Sequence, residues 1–272
     1  MTDALEWTGR VGDAWAAEWQ RTDRSFADLS RQLDAAILAA APEGAFRALD
    51  IGCGAGGTSL ALAGARSDAQ ITGVDLSEEL VRVARSRVPV RFLVGDARVL
   101  ALEQGPFDLL YSRHGVMFFD DPVAAFAALR AGARAGAQLI FSCFRARGEN
   151  GWVTAVDDAV GSPGVEPTGY APGPFGFADE GFVRDVLTEA GWASVASQPI
   201  DYRYVAGADV DDAMSFFGRI GPAARALAAA DPAERPAIDA RLRSALAANQ
   251  TSAGVTFPAA AWIWTATAGG PA

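Results

Sequence analysis

The 272-residue sequence contains no lysine, so all 23 of its basic side chains are arginine. It has one histidine, His114, and two cysteines, Cys53 and Cys143. So few imidazole and sulfur ligands exclude a Cys/His zinc site, and a transition metal would rest on carboxylates almost alone; no metal centre is expected. No run of about 18 apolar residues occurs, so no membrane span is expected. The opening residues MTDALEWTGR carry acids where a signal peptide needs a basic stretch and an apolar run, and the expected compartment is the cytosol. The formal net charge is -10. Nucleic acid requires a basic face to neutralise phosphates and is not an expected partner, whereas a positively charged ligand suits such a chain.

Half of the residues are hydrophobic, which suits one large α/β domain. From Phe46 onward, short apolar runs alternate with helical patterns. FRALDI (46–51), QITGV (70–74), VRFLV (90–94), FDLLYS (107–112) and AQLIFSCF (137–144) read as buried parallel strands bounded by Gly, Pro or Asp. Ser77 followed by Glu78 and Glu79 caps one intervening helix, and Asp121-Pro122 opens another. This rhythm predicts a doubly wound, mostly parallel sheet.

The expected division is a helical cap over residues 1–45 and a Rossmann-like domain over 46–272, with insertions at about 145–178 and 201–256. Segment 161–178 is dense in Gly and Pro and is not regular structure. Asp179 then caps a helix over 179–190 that Gly191 ends. Segment 209–250 is helical, broken at Gly221-Pro222 and Asp231-Pro232, and a last strand follows at 260–267. Insertions of this length are expected to cover the mouth of the sheet, the alternative being surface decoration. In the cap, Val11, Trp15 and Trp19 share one helix face; core packing is expected, with an aromatic flap over a ligand as the alternative.

The densest information lies in ALDIGCGAGGTSLALA (48–63): a strand, a glycine loop and a helix starting near Thr58. Gly52, Gly54 and Gly57 satisfy G-x-G-x-x-G, which alone is a weak match. Asp50 discriminates between ligands. Beside a pyrophosphate its carboxylate repels by about 1 to 4 kcal/mol, whereas beside an ammonium or sulfonium it attracts. Asp75 in TGVDLS ends the second strand and suits a ribose diol, a feature shared by nicotinamide and methyl-donor enzymes. Asp96 in LVGDAR ends the third strand and suits an exocyclic adenine amine. Three aspartates at the carboxyl ends of successive strands converge on one crevice.

These segments resemble the class I S-adenosylmethionine-dependent methyltransferases: DIGCGAG their first motif, VDLS the second, GDA the third and FDLLYSRHGVMFF the fourth. Where relatives carry a Pro-Gly-Gly turn, this chain has Ala135-Gly136-Ala137. The ends more weakly resemble small-molecule enzymes of the ubiquinone/menaquinone C-methyltransferase type. The resemblance implies a seven-stranded sheet with its last strand antiparallel, which gives 260–267 its place. It implies S-adenosyl-L-methionine as cofactor, with Asp50, Gly52 and Gly54 around the methionine moiety and Cys53 inside that loop. Asp75 then holds the ribose, Leu76 packs on adenine, Asp96 and Ala97 read the adenine edge, and Ser112 sits near the methionine amine.

His114 follows the fourth strand and, with an ordinary pKa near 6.5, is the candidate base for an acceptor that loses a proton; the alternative is a structural role. Arg113 is expected to pair with Asp120 or Asp121. Cys53 is read as a small residue fitted into a tight turn, not a redox thiol. Trp152, Tyr170, Phe175 and Phe177 either line an acceptor pocket or pin the first insertion. The expected activity is methyl transfer to oxygen or carbon of a small, largely apolar or aromatic acceptor. The alternatives are a nicotinamide-dependent oxidoreductase, a non-catalytic S-adenosylmethionine-binding module, and a protein or RNA methyltransferase.

Overall fold

The computed structural model describes residues 4–161 and 169–269; part of the Gly/Pro-rich segment expected to be irregular, 162–168, lies outside the described residues. The five apolar runs become β1 (Phe46–Ile51), β2 (Ala69–Asp75), β3 (Arg91–Val94), β4 (Phe107–Arg113) and β5 (Ala133–Phe144), all pairing in parallel. Near-continuous burial of β1, most of β2, β4 and the second half of β5 explains why these read as unbroken hydrophobic runs and not as alternation, whereas β3 at the sheet edge is partly exposed. The remaining strands are β6 (Trp192–Gly207), the two-residue β7 (Gln250–Thr251) and β8 (Gly254–Ala268). The sheet order is β3-β2-β1-β4-β5-β8-β6, with β7 pairing only with β8. Strand β8 is antiparallel to both β5 and β6. The fold is therefore the doubly wound, mostly parallel sheet with an antiparallel last strand, and β7 is a small addition to it.

One boundary is corrected. Residues 201–207, assigned to the second insertion, are the end of β6, where Tyr204 pairs with Phe257 and Gly207 with Val255. The helices of that insertion, Val210–Phe217, Gly221–Ala229 and Arg235–Ala248, break at the two proline sites expected. Helix starts follow the caps: the Ser77, Asp121 and Asp179 side chains each accept a backbone N–H three residues on. The core of the sheet is aromatic at its widest, with Phe107, Tyr111, Phe126, Phe141, Phe177 and Trp264 fully buried, each stabilising by about 1.5–3 kcal/mol through area removed from water. Among the described residues, no helix is long and apolar enough to cross a membrane.

The N-terminal helices divide by role. Helix Ala27–Ala40 buries Leu29, Leu33 and Ile37 in the main core. Helices Arg10–Ala17 and Trp19–Ser25 lie over the carboxyl edge of the sheet instead. Asp23 holds them there: its carboxylate accepts from Arg113 at the end of β4 at 2.8 Å and from Arg87 at 2.7 Å. Arg87 also donates to the Ala55 carbonyl at 2.6 Å and lies 3.8 Å from the centre of the Trp19 ring. Buried Glu18 pairs with Arg21 and with Arg219 of the second insertion, and Asp212 pairs with Arg21 and Arg24. Asp23→Ala leaves two arginines without their carboxylate. A loss of about 1–3 kcal/mol in urea unfolding is expected, with raised quenching of tryptophan fluorescence; unchanged stability and quenching would show that Asp23 does not hold the cap.

Candidate active site

Because β1 to β5 run parallel, their carboxyl ends deliver Gly52, Leu76, Gly95, His114 and Arg145 to one edge, where an open α/β sheet forms its crevice. A cavity of about 230 Å³ lies there, roofed by the N-terminal helices and by both insertions. Asp50, Gly52, Cys53, Gly54, Asp75, Leu76, Asp96, Ala97 and His114 all line it. Nine of the ten residues singled out from the sequence thus meet in one place; Ser112 does not.

The glycine loop is fixed by conformation and by close approach. Gly52 has φ +61°, and a Cβ there would stand 3.0 Å from Gly115 Cα, so only glycine fits. Gly54 has φ +52°, and its missing side chain leaves the backbone bare toward open space. The loop is tied to β2 through Asp75, whose carboxylate accepts from Gly54 N–H and Ser77 N–H, both at 2.9 Å. Burial raises the Asp75 carboxyl above its ordinary value, and the N–H donors of Ser77, Gly54 and Leu76 oppose that rise. Cys53 packs into the turn as expected, and burial pushes its thiol well above the ordinary value, so it is a poor nucleophile.

Asp50 lies under the loop, paired across the sheet with Gly73 and Tyr111, and only 1% exposed. Ser59 Oγ donates to it at 2.6 Å. Burial raises its pKa to about 7, against the Ser59 hydrogen bond and the charge of Arg113, while Asp75 and Asp34 push the same way as burial.

Three expectations are corrected, and one residue gains partners. Ser112 is wholly buried: its hydroxyl donates to the Ile51 carbonyl at 2.7 Å and accepts from Gly115 N–H at 3.1 Å. It fastens the end of β4 to the glycine loop and does not face a ligand. Arg113 pairs with Asp23 and donates to Ser30 at 2.9 Å, not with Asp120 or Asp121. Asp96 stays in the cavity lining and also caps helix Ala97–Gln104, gripped by the Arg98 guanidinium, whose side-chain hydrogen bonds hold its carboxyl below the ordinary value. His114 does not keep an ordinary pKa: burial, then the charge of Arg113, lower it to about 3. The imidazole is therefore neutral across the physiological range. It sits at φ +61°, its ring stacked on Phe144 at 4.2 Å, with Nδ1 3.4 Å from Ser142 Oγ.

Aromatic residues supply most of the remaining lining. Trp15 and Trp19 line the cavity together with Trp7 and also pack on buried Ala16, Ala55, Leu80 and Val83, so these rings join the core as expected while bordering the cavity. Trp7 contacts Trp15 at 5.8 Å and Phe118 at 5.1 Å between ring centres. Of the first-insertion aromatics only Trp152 lines the cavity. Phe175 and Phe177 are buried beneath it, and the Tyr170 hydroxyl donates to the Phe119 carbonyl, pinning the insertion. Sequence reasoning missed Asp23, Phe26, Phe144, Tyr204, Phe216 and Phe217, all in the lining. Their signal is weak, because each belongs to a segment that reads as core or as insertion until the sheet edge is assembled.

The model of the methyltransferase domain family matches residues 48–136. The ubiquinone biosynthesis O-methyltransferase of Xanthomonas campestris pv. campestris is 39% identical over 102 residues, 35% of this chain and 42% of that protein. The chain thus spans less than half the length of the curated relatives it matches. Among solved structures, the YcgJ protein of Bacillus subtilis superposes with a TM-score of 0.58 at 19% identity, covering 89% of this chain and 99% of that one. Phosphoethanolamine N-methyltransferase 2 of Haemonchus contortus, solved with phosphomonomethylethanolamine and S-adenosylhomocysteine, gives 0.57 at 16%, covering 97% and 59%. Residues 48–136 thus match a methyltransferase domain, and the likeness in fold extends over most of the chain. The matched span runs from within β1, through the glycine loop, to the start of β5.

The buried Asp50 yields a pH dependence. Below its ordinary value near 3.8 the carboxyl is protonated in folded and unfolded chains alike. Between about 4 and 7 only the folded chain keeps the proton, so the stability of the ligand-free protein falls as pH rises through that window. A cationic ligand prefers the ionised form. The affinity for S-adenosylmethionine, measured calorimetrically, is expected to rise by up to about tenfold per unit to pH 7 and then level. Asp50→Asn should flatten the profile; a flat wild-type profile would remove Asp50 from ligand binding.

Proposed function

We propose that this protein transfers the methyl group of S-adenosyl-L-methionine to oxygen or carbon of a small, largely apolar or aromatic acceptor, and that it works in the cytosol. One observation carries the cofactor assignment. The carboxylates of Asp50 and Asp75 line the cavity at the glycine loop, while the arginines of the lining, Arg98 and Arg113, are committed to Asp96 and Asp23. A pyrophosphate at that place meets two carboxyl groups and no free guanidinium, whereas a ligand carrying ammonium and sulfonium charge favours their ionised forms and meets its complement. This favours a methyl donor over a nicotinamide cofactor. The free, buried thiols of Cys53 and Cys143 suit a reducing compartment.

In this reading Asp75 holds the ribose hydroxyls. Its backbone donors leave part of the four lone-pair sites of a carboxylate open for a diol. Leu76 packs on adenine. Ala97 opens a helix, so its backbone N–H has no partner within that helix and is available to the adenine edge, with Asp96 alongside. Gly52, Cys53, Gly54 and Asp50 surround the methionine moiety. The bound donor would supply an electrophilic methyl on sulfur. The acceptor's electron pair would form the new bond as the carbon–sulfur bond breaks, the pair of the broken bond would stay on the sulfur of S-adenosylhomocysteine, and the acceptor's proton would pass to solvent. Such a displacement is accelerated chiefly by aligning the two reactants and excluding water, and the chain does both through the roof of tryptophans and the two insertions. His114 is assigned to the acceptor side as a neutral hydrogen-bonding group that orients a hydroxyl.

Two measurements check this. S-Adenosylhomocysteine at about 100 times its dissociation constant is expected to stabilise the fold by roughly 2.7 kcal/mol. NADH should leave the melting temperature unchanged, and Asp75→Ala should weaken S-adenosylhomocysteine binding by about 1–3 kcal/mol. A shift with NADH alone would overturn the assignment. For His114→Asn, measured with saturating methyl donor, turnover is expected to fall by about tenfold or more, with wild type and variant keeping the same pH–rate shape between pH 5.5 and 8. A wild-type limb centred near 6.5 that the variant loses would instead make His114 a titrating base.

A further inference from the structure

On the side of the cavity built by β5, β6 and the first insertion, five rings from five separate segments form a continuous wall. Phe26 meets His114 at 5.1 Å, His114 meets Phe144 at 4.2 Å, and Phe144 meets Trp152 at 5.5 Å between centres. Trp152 then stacks on Tyr204 at 5.1 Å, and Tyr204 closes back on Phe26 at 5.8 Å. All five line the cavity. Flat rings joined in this way present a surface on which another flat ring packs with little loss of freedom.

Among the described residues, two nitrogens of this wall lack partners and, unlike the unpaired polar atoms of Tyr202 and Trp264 in the core, belong to side chains that border the cavity, as does Trp7 Nε1 of the cap. Trp152 is 7% exposed and His114 8% exposed. Among the described residues, Trp152 Nε1 and His114 Nε2 have no hydrogen-bond partner. Buried polar atoms are nearly always paired, so two orphans on one cavity wall mark where a ligand brings polar atoms of its own. Their chemistry restricts that ligand. An indole N–H only donates, so its partner must carry a lone pair, which excludes an ammonium at that point. A carboxylate or phosphate calls for a free cation, and Arg113, the neighbour of His114, is held by Asp23 and Ser30.

We propose that this wall is the acceptor subsite and that it selects an uncharged, hydroxy- or oxo-substituted aromatic ring, holding the ring oxygen with Trp152 Nε1–H and His114 Nε2. The assignment rests on the methyltransferase reading for the fate of the ring, not for its binding. Equilibrium dialysis of three probes tests it: 2-naphthol, naphthalene and 2-naphthoate, each with and without saturating S-adenosylhomocysteine. Two neutral hydrogen bonds should make 2-naphthol bind about 10- to 100-fold more tightly than naphthalene, with 2-naphthoate weaker than 2-naphthol. Trp152→Phe keeps the ring and removes the donor. It should lose about 3- to 10-fold in 2-naphthol affinity while naphthalene and S-adenosylhomocysteine binding stay unchanged. His114→Asn, a side chain that tolerates the left-handed backbone at position 114, should show the same selective loss.

Equal affinity for 2-naphthol and naphthalene, binding of neither, preference for 2-naphthoate, or an unchanged 2-naphthol preference in Trp152→Phe would overturn the subsite. If S-adenosylhomocysteine fails to bind while the 2-naphthol preference and its loss persist, the cofactor assignment falls and the subsite stands.

Discussion

Placing an arginine at the end of β4 beneath a roof of helices creates a cation that must find a carboxylate, and Asp23 provides it. The same aspartate takes Arg87, which in turn grips the carbonyl of Ala55 in the glycine loop and lies against Trp19. Four segments far apart in sequence are thereby fixed relative to one another: the cap, the loop after β1, the helix after β2 and the end of β4. The arrangement of the cavity follows. With Arg113 neutralised, the carboxyl groups of Asp50 and Asp75 dominate the loop end, while the aromatic wall is left apolar with two nitrogens to satisfy. Ligand charge at one end and ligand neutrality at the other both derive from where the two guanidinium groups are spent.

A fold of this kind is legible wherever one element carries its own signal. Strands β1, β2, β4 and β5 carry apolar runs because parallel strands are covered on both faces, and helices opened by Ser77, Asp121 and Asp179 show their caps directly. Strand β6 escaped detection for the opposite reason. It lies at the edge of the sheet, residues 193–199 are mostly exposed and include Pro199, and the alternation of buried Ile200, Tyr202 and Tyr204 with exposed Asp201 and Arg203 is too short to mark the whole strand.

Site residues divide the same way. The glycine loop, Asp50, Asp75, Leu76 and Ala97 belong to motifs contiguous in sequence and meet where the strands end. The roles that sequence misassigned depend on partners brought by folding. Ser112 looks free until the carbonyl of Ile51, 61 residues away, comes within 2.7 Å. Arg113 pairs with an aspartate 90 residues distant and not with the acids next to it. The pKa of His114 depends on burial, which no spacing reveals, and the aromatic wall exists only once five segments converge.

The place of β8 has a consequence for how the chain assembles during synthesis. This strand, last of the described elements, lies between β5 and β6, both made earlier. Until it emerges, β5 has an open edge, and β6 can touch the sheet only through helices. The ladder joining residues 192–207 to 254–268 is long and of high sequence separation, which makes its closure slow relative to the local βα units. A nascent chain therefore carries its Rossmann-like half ahead of a floating strand, and Tyr204 and Trp152 reach the cavity wall only when β8 is inserted. The acceptor side is accordingly the last part of the molecule to form, and the part most exposed to strand exchange with another nascent copy.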